Sequence, residues 1–176
     1  HTYPGLAAAL PPEIGLTQLG EGGCLPFADT ESTGIGGTDP CVASINKAVE
    51  IASRPHINTV IMSSRGPLYL TGKDFGVVDV HNRYIANPKH PNVKDPPQIF
   101  EIGMRDSLSR LQKANKKVIF VLDVPEIGFE PKRCLQGNGG RPLRLNNKLP
   151  KSPCAVPRNE FETRNKIYRD RSEEHT

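Results

Sequence analysis

Five consecutive residues, Val118-Ile119-Phe120-Val121-Leu122, constrain this chain more than any other stretch. All are apolar and most are β-branched or aromatic, which is the make-up of a parallel strand covered on both faces. The strand runs into Asp123-Val124-Pro125. A long basic loop follows, opening at Cys134 and closing at Cys154-Ala155-Val156-Pro157-Arg158. In open α/β sheets the loops leaving the carboxyl ends of strands build the site, so this loop is expected to be a structural lid or a substrate wall.

The remaining pattern alternates helix and strand. Leu6–Leu10 reads as the end of a short helix stopped by Pro11-Pro12. Ile14–Leu19 is a strand candidate, followed by the turn-rich Gly20-Glu21-Gly22-Gly23-Cys24 and an irregular loop to Thr38. Asp39 is a good N-cap with Pro40 at the first helical position, and Val42, Ile45, Val49 and Ala52 form one apolar stripe. Thr59–Met62 is a second buried strand, ending in Ser63-Ser64-Arg65. Asp74–Pro97 has no periodicity and reads as a long surface excursion. A helix from Gln98 to Ala114 carries Phe100, Met104, Leu108 and Leu111 on one face, and the opening strand follows it. Asn159 with Glu162 suggests a capping box for a last helix bearing Phe161 and Tyr168. The order predicts an α/β fold: an incomplete three-layer, flavodoxin-like parallel sheet between helices, joined by right-handed crossovers.

At 176 residues the chain fits one domain. No run approaches the roughly 18 apolar residues of a membrane span, and no basic segment precedes an apolar one at the amino end, so any membrane part is expected outside this chain. The net charge is a mild +4, unevenly spread: seven basic residues and no acid lie between Pro131 and Asn159. That stretch suits an anionic glycan or lipid phosphate, or is a solvated, disulfide-tied surface. No nucleic-acid partner is expected. Four cysteines, Cys24, Cys41, Cys134 and Cys154, lack zinc-ligand spacing, and no metal or other cofactor is expected. Four free thiols are one reading. Two disulfides are the other; of three pairings, Cys24 with Cys41 and Cys134 with Cys154 would each staple a Gly/Pro-rich loop and imply an oxidising compartment.

The chain contains no complete catalytic set: no Gly-x-Ser-x-Gly elbow, Walker loop, dinucleotide fingerprint or His-Glu-x-x-His. His56, His81 and His90 lie in loops without partners at a readable spacing. However, His1-Thr2-Tyr3-Pro4-Gly5-Leu6, Gly23-Cys24-Leu25-Pro26-Phe27, Val60-Ile61-Met62-Ser63-Ser64-Arg65, Val121-Leu122-Asp123-Val124-Pro125, Arg133-Cys134-Leu135 and Cys154-Ala155-Val156-Pro157-Arg158 fall in a familiar order. The order resembles the SGNH-type (GDSL-like) domain fused behind the membrane part of acyltransferase family three, whose members O-acetylate bacterial cell-surface glycans. The resemblance covers nearly the whole chain.

It implies that a nucleophilic Ser stands immediately before His1 and that an Asp-x-x-His pair lies beyond the last helix; neither is in this sequence, so the chain as given is expected to be inert. The catalytic groups left to it are oxyanion supports: a backbone N–H in Gly22-Gly23, and Arg65, which stands where the general family places an Asn. A surface Arg65 paired with Asp74 or Asp79 is the plainer reading. His1 and Tyr69 are the expected substrate contacts, Tyr69 either stacking on a sugar or serving as an ordinary core tyrosine. His1, Gly22-Gly23 and Ser64-Arg65 should then converge in a shallow, open cleft at the carboxyl edge of one sheet.

The implied partners are a cell-surface glycan and an acyl donor delivered by a membrane acyltransferase domain outside the chain. The implied location is periplasmic, membrane-anchored in the intact protein. A secreted esterase and a non-catalytic glycan-binding module are the alternatives on the same fold. Residues 1–170 are expected to be the domain, and 171–176, which read as a translated sequencing-adapter start, a non-native tail.

Overall fold

The computed structural model describes residues 2–20, 22–34, 41–73, 75–76, 83–122, 126–129 and 155–173. Its elements, in order, are α1 (Thr2–Ala9), β1 (Glu31–Gly34), α2 (Cys41–Ala52), β2 (Thr59–Ser63), α3 (Gly66–Thr71), β3 (Arg83–Ala86), α4 (Pro96–Lys113), β4 (Lys117–Val121) and α5 (Arg158–Glu173). The class is α/β, as the alternation predicts.

The two strands read most plainly from the sequence pair with each other. β2 and β4 are parallel, with Thr59 opposite Lys117 and Ser63 opposite Val121. Val60, Met62, Val118 and Phe120 face the core, where Phe27, Phe100, Phe120 and Tyr168 form a ring cluster. Such edge-to-face and offset contacts add about 1 kcal/mol each beyond area burial. The expectation that β4 is covered on both faces does not hold among the described residues. Ile61, Ile119 and Val121, on the opposite face, are 42%, 40% and 37% exposed.

α4 is fixed at both ends by local chemistry. Asp95 accepts the Gln98 N–H, Pro96 and Pro97 occupy the first helical positions, and seven positions including Phe100, Met104, Leu108 and Leu111 are buried. At the other end Asn115 takes a left-handed φ of 57°, its N–H reaching the Gln112 carbonyl while that of Lys116 reaches Leu111, a Schellman closure. α4 rests on the fully buried segment Leu25, Phe27, Ala28 and Thr30, so closely that a Cβ on Gly103 would stand 2.2 Å from Thr30 Oγ1. Asp29 in that segment is the junction of three elements: it accepts from Lys89 at 2.6 Å, from Arg110 and from Asn46 at 3.1 Å.

Three local expectations are corrected. Ile14–Leu19 forms no strand; Ile14 and Leu19 are exposed, and the first strand is β1. The Asp74–Pro97 excursion carries β3, which pairs antiparallel with β1, Glu31 opposite Ala86 and Gly34 opposite Arg83. These are four-residue strands, too short to leave a periodic signature. On α2 the inner stripe is Cys41, Ile45, Val49 and Ala52, with Val42 half-buried, because the disulfide draws Cys41 inward. The cap positions Asp39 and Pro40 lie outside the described residues. At the start of α5, Glu162 pairs with Arg158 at 2.7 Å. α5 continues past residue 170 to Glu173, with Ser172 buried and Arg171 bound to Glu101 at 2.9 Å. No helix among the described residues is long and apolar enough to cross a membrane.

Candidate active site

Parallel β2 and β4 deliver their carboxyl ends to one edge, and the charged side chains beyond those ends meet there. Arg65, two residues past β2, donates from Nη2 to Glu126 Oε1 at 3.0 Å; Glu126 lies five residues past β4. The second Glu126 oxygen takes the Nε–H of Arg164 from α5 at 2.8 Å. Arg164 goes on to Thr71 Oγ1 at 2.5 Å and the Lys73 carbonyl at 2.6 Å, with its guanidinium over the Phe75 ring. Glu126 and Arg164 are about nine-tenths buried, whereas the Arg65 side chain is 43% exposed. The acid therefore sits in a fixed, desolvated place and sets the plane of a guanidinium that reaches solvent. Among the described residues, Arg65 thus pairs with Glu126. Asp74 and Asp79 lie outside the described residues.

The backbone leaving β2 is equally constrained. The Ser64 carbonyl accepts from the Gly66 N–H at 2.9 Å and from the Tyr168 hydroxyl at 3.1 Å. Gly66 is pressed against that same ring: a Cβ there would stand 2.0 Å from Tyr168 Cε2. Ser64 Oγ is shielded from solvent and meets no partner among the described residues.

α3 starts at this point and carries the second part of the site. Tyr69 lies four residues beyond Arg65, about one helical turn. Its hydroxyl donates to the Gly23 carbonyl at 2.6 Å, and the Ser32 hydroxyl donates to the same oxygen at 3.2 Å. Gly23 has a φ of 80°, a left-handed conformation that favours glycine. The next residue, Cys24, is bonded to Cys41 with a Cα separation of 5.4 Å, as expected from the loop it brackets. A strand, a helix and a disulfide thus hold the Gly23 turn, the helix through Tyr69, four residues along the chain from Arg65.

Tyr69 is 3% exposed. A ring buried to that degree positions the turn and offers no face to a sugar. His1, Cys134 and Cys154 lie outside the described residues. An apolar groove of about 410 Å³ runs between α3 and α5 past Leu70, Thr71, Thr163 and Ile167, and includes neither Arg65 nor Gly22–Gly23. No group of His, Cys, Asp or Glu suited to a metal ion occurs among the described residues. Sequence reasoning passed over Glu126, Arg164 and Arg83. Glu126 was accessible from its place one residue after Asp123-Val124-Pro125 at a strand end; the other two sit in stretches whose pattern gave no cue.

Comparison with curated proteins and with solved structures returned no match. A family model described as the SGNH domain fused to AT3 domains matches residues 1–175, nearly the span over which the sequence blocks fall in that family's order. The chain belongs to this family, and its fold and its acyltransferase- or esterase-type chemistry are those of an SGNH domain fused to AT3 domains.

Proposed function

We propose that this domain, completed by a Gly-Asp-Ser before His1 and an Asp-x-x-His after α5, transfers an acetyl group to a hydroxyl of a cell-surface glycan. The serine oxygen attacks the acyl carbon, the bond to the donor breaks, and the serine proton passes through the histidine to the departing group. A sugar hydroxyl then attacks the serine ester, the serine–acyl bond breaks, and the hydroxyl proton passes through the same histidine to the departing serine oxygen. Each attack places negative charge on the acyl oxygen. Arg65 and a backbone N–H of Gly22–Gly23 face that charge.

The observation that carries this reading is the Gly23–Tyr69 hydrogen bond, which joins the turn to the helix that opens at Arg65. Pairing with Glu126 orients Arg65 for the role, since a positioned donor stabilises a developing oxyanion without reorganising. Transfer to sugar instead of water follows from the fused membrane domain, which would supply the acyl donor on the extracytoplasmic side. The donor domain, the glycan and a periplasmic setting are all parts of this proposal.

The 176 residues contain neither a Gly-Asp-Ser nor an Asp-x-x-His. Purified, they should turn over an activated acetyl ester no faster than buffer does. A chain restored at both ends should hydrolyse the ester and, given a polysaccharide acceptor, transfer the acetyl group. Turnover by the unrestored chain that disappears on changing a single residue such as His81 would place the active site elsewhere.

A further inference from the structure

β3 opens on Arg83, whose backbone N–H donates to the Gly72 carbonyl at 3.1 Å, just past the end of α3. The side chain runs to the Gly22–Gly23 turn and lies against it. A Cβ on Gly23 would stand 2.9 Å from Nη2 and 3.3 Å from Cζ, which puts the guanidinium end directly against the turn. The residue is half-buried, and its Nε is shielded from solvent yet meets no acceptor among the described residues. No carboxylate among them pairs with it. Arg65, Arg110 and Arg164, by contrast, each hold one. The Gly23 carbonyl beside it already accepts from two hydroxyls.

A guanidinium is a planar fork of five donors, matched to a pair of anionic oxygens. A half-buried guanidinium at the candidate site, with one nitrogen shielded and no carboxylate pairing with it among the described residues, is placed to take an anion that arrives. We infer that Arg83 binds a carboxylate or phosphate oxygen pair on the acceptor, which makes an acidic sugar the class of glycan that this site takes. Its place against the turn would hold the acid group of the sugar beside the hydroxyl to be acylated. The acceptor role rests on the acyl-transfer reading; anion binding at Arg83 does not.

The test uses the 176-residue chain, following arginine Nε–Hε signals by NMR during titration with glucuronate, methyl phosphate or glucose. The Arg83 signal should move saturably with an anion, at concentrations about tenfold below those that move the exposed Arg158, and should ignore glucose. Glucuronate and methyl phosphate distinguish a uronic acid from a phosphorylated sugar by which of them saturates first. Arg83→Met should lose the anion-dependent rise in melting temperature that the parent shows. An Arg83 signal that merely tracks Arg158, or an Arg83→Met protein that keeps the rise, would overturn the inference. If that variant fails to fold, the titration of the parent decides. A restored triad without turnover would defeat the acyl-transfer reading and leave anion binding standing; turnover with a silent Arg83 does the reverse.

Discussion

Asp29 shows what a single residue contributes to this fold. It adopts a φ of 55°, which few residues other than glycine tolerate, and ties α2, α4 and the segment after β3 together. Burial works to raise its pKa, but hydrogen bonds from Lys89, Arg110 and Asn46 outweigh burial and hold the carboxyl below its ordinary 3.8. A folded pKa below the unfolded one means stability that is present above the unfolded value and lost as pH falls through the folded value. Asp29→Asn, which keeps the tolerance for a left-handed φ, should therefore unfold at lower urea than the parent at pH 7. The difference should shrink as pH drops below about 3.8. Urea midpoints measured from pH 7 to pH 2.5 would refute this if the gap stayed constant. Glu126→Gln is a sharper change. It leaves Arg164 nine-tenths buried beside a neutral group and should cost about 3 kcal/mol by chemical denaturation, because one member of a desolvated pair remains.

Among the elements, those carrying long apolar runs or helical stripes were legible, and those held by tertiary contacts were not. β2, β4 and the buried face of α4 follow from Thr59–Met62, Val118–Leu122 and the spacing of Phe100, Met104, Leu108 and Leu111. β1 and β3 are four-residue strands whose residues, Glu31-Ser32-Thr33-Gly34 and Arg83-Tyr84-Ile85-Ala86, show no alternation strong enough to stand out. Pairing with each other defines them. The candidate site divides in the same way. Gly23 and Arg65 were visible through block order, while Glu126, Arg164 and Arg83 acquire roles only from neighbours remote in sequence. α3 joins the two halves, and its packing is testable at Gly66. Gly66→Ala drives a methyl into the Tyr168 ring and should destabilise by about 3 kcal/mol, the upper part of the overpacking range. Tyr168→Phe, which removes the hydroxyl bonded to Ser64 and keeps the ring, should cost about 1 kcal/mol. Equal losses for the two variants would mean that the ring contact does not fix α3.

Over the whole molecule, burial is one-sided at the parallel pair. The face bearing Val60, Met62, Val118 and Phe120 joins the aromatic core, and the other presents Ile61 and Ile119 in register with Ser63 and Val121 beside them. Leu122 and Ile127, each 40% exposed, extend the apolar character past the strand end. Isolated exposed apolar residues are ordinary, but neighbours aligned across two strands form a surface that an apolar dye can recognise. Replacing a side chain that is already some 40% exposed removes less burial than replacing one in the core. Ile119→Thr keeps the β-branch that suits a strand. It should change unfolding free energy by no more than about 1 kcal/mol while lowering the fluorescence of a bound anilinonaphthalene dye. Phe120→Thr, one residue along and directed into the ring cluster, should instead cost about 3 kcal/mol or more and raise dye binding as the core loosens. The two variants differ by one position and by the face they occupy. If Ile119→Thr proved as damaging as Phe120→Thr, the outer face of β4 would be covered in solution and the one-sided description of the sheet would have to be abandoned.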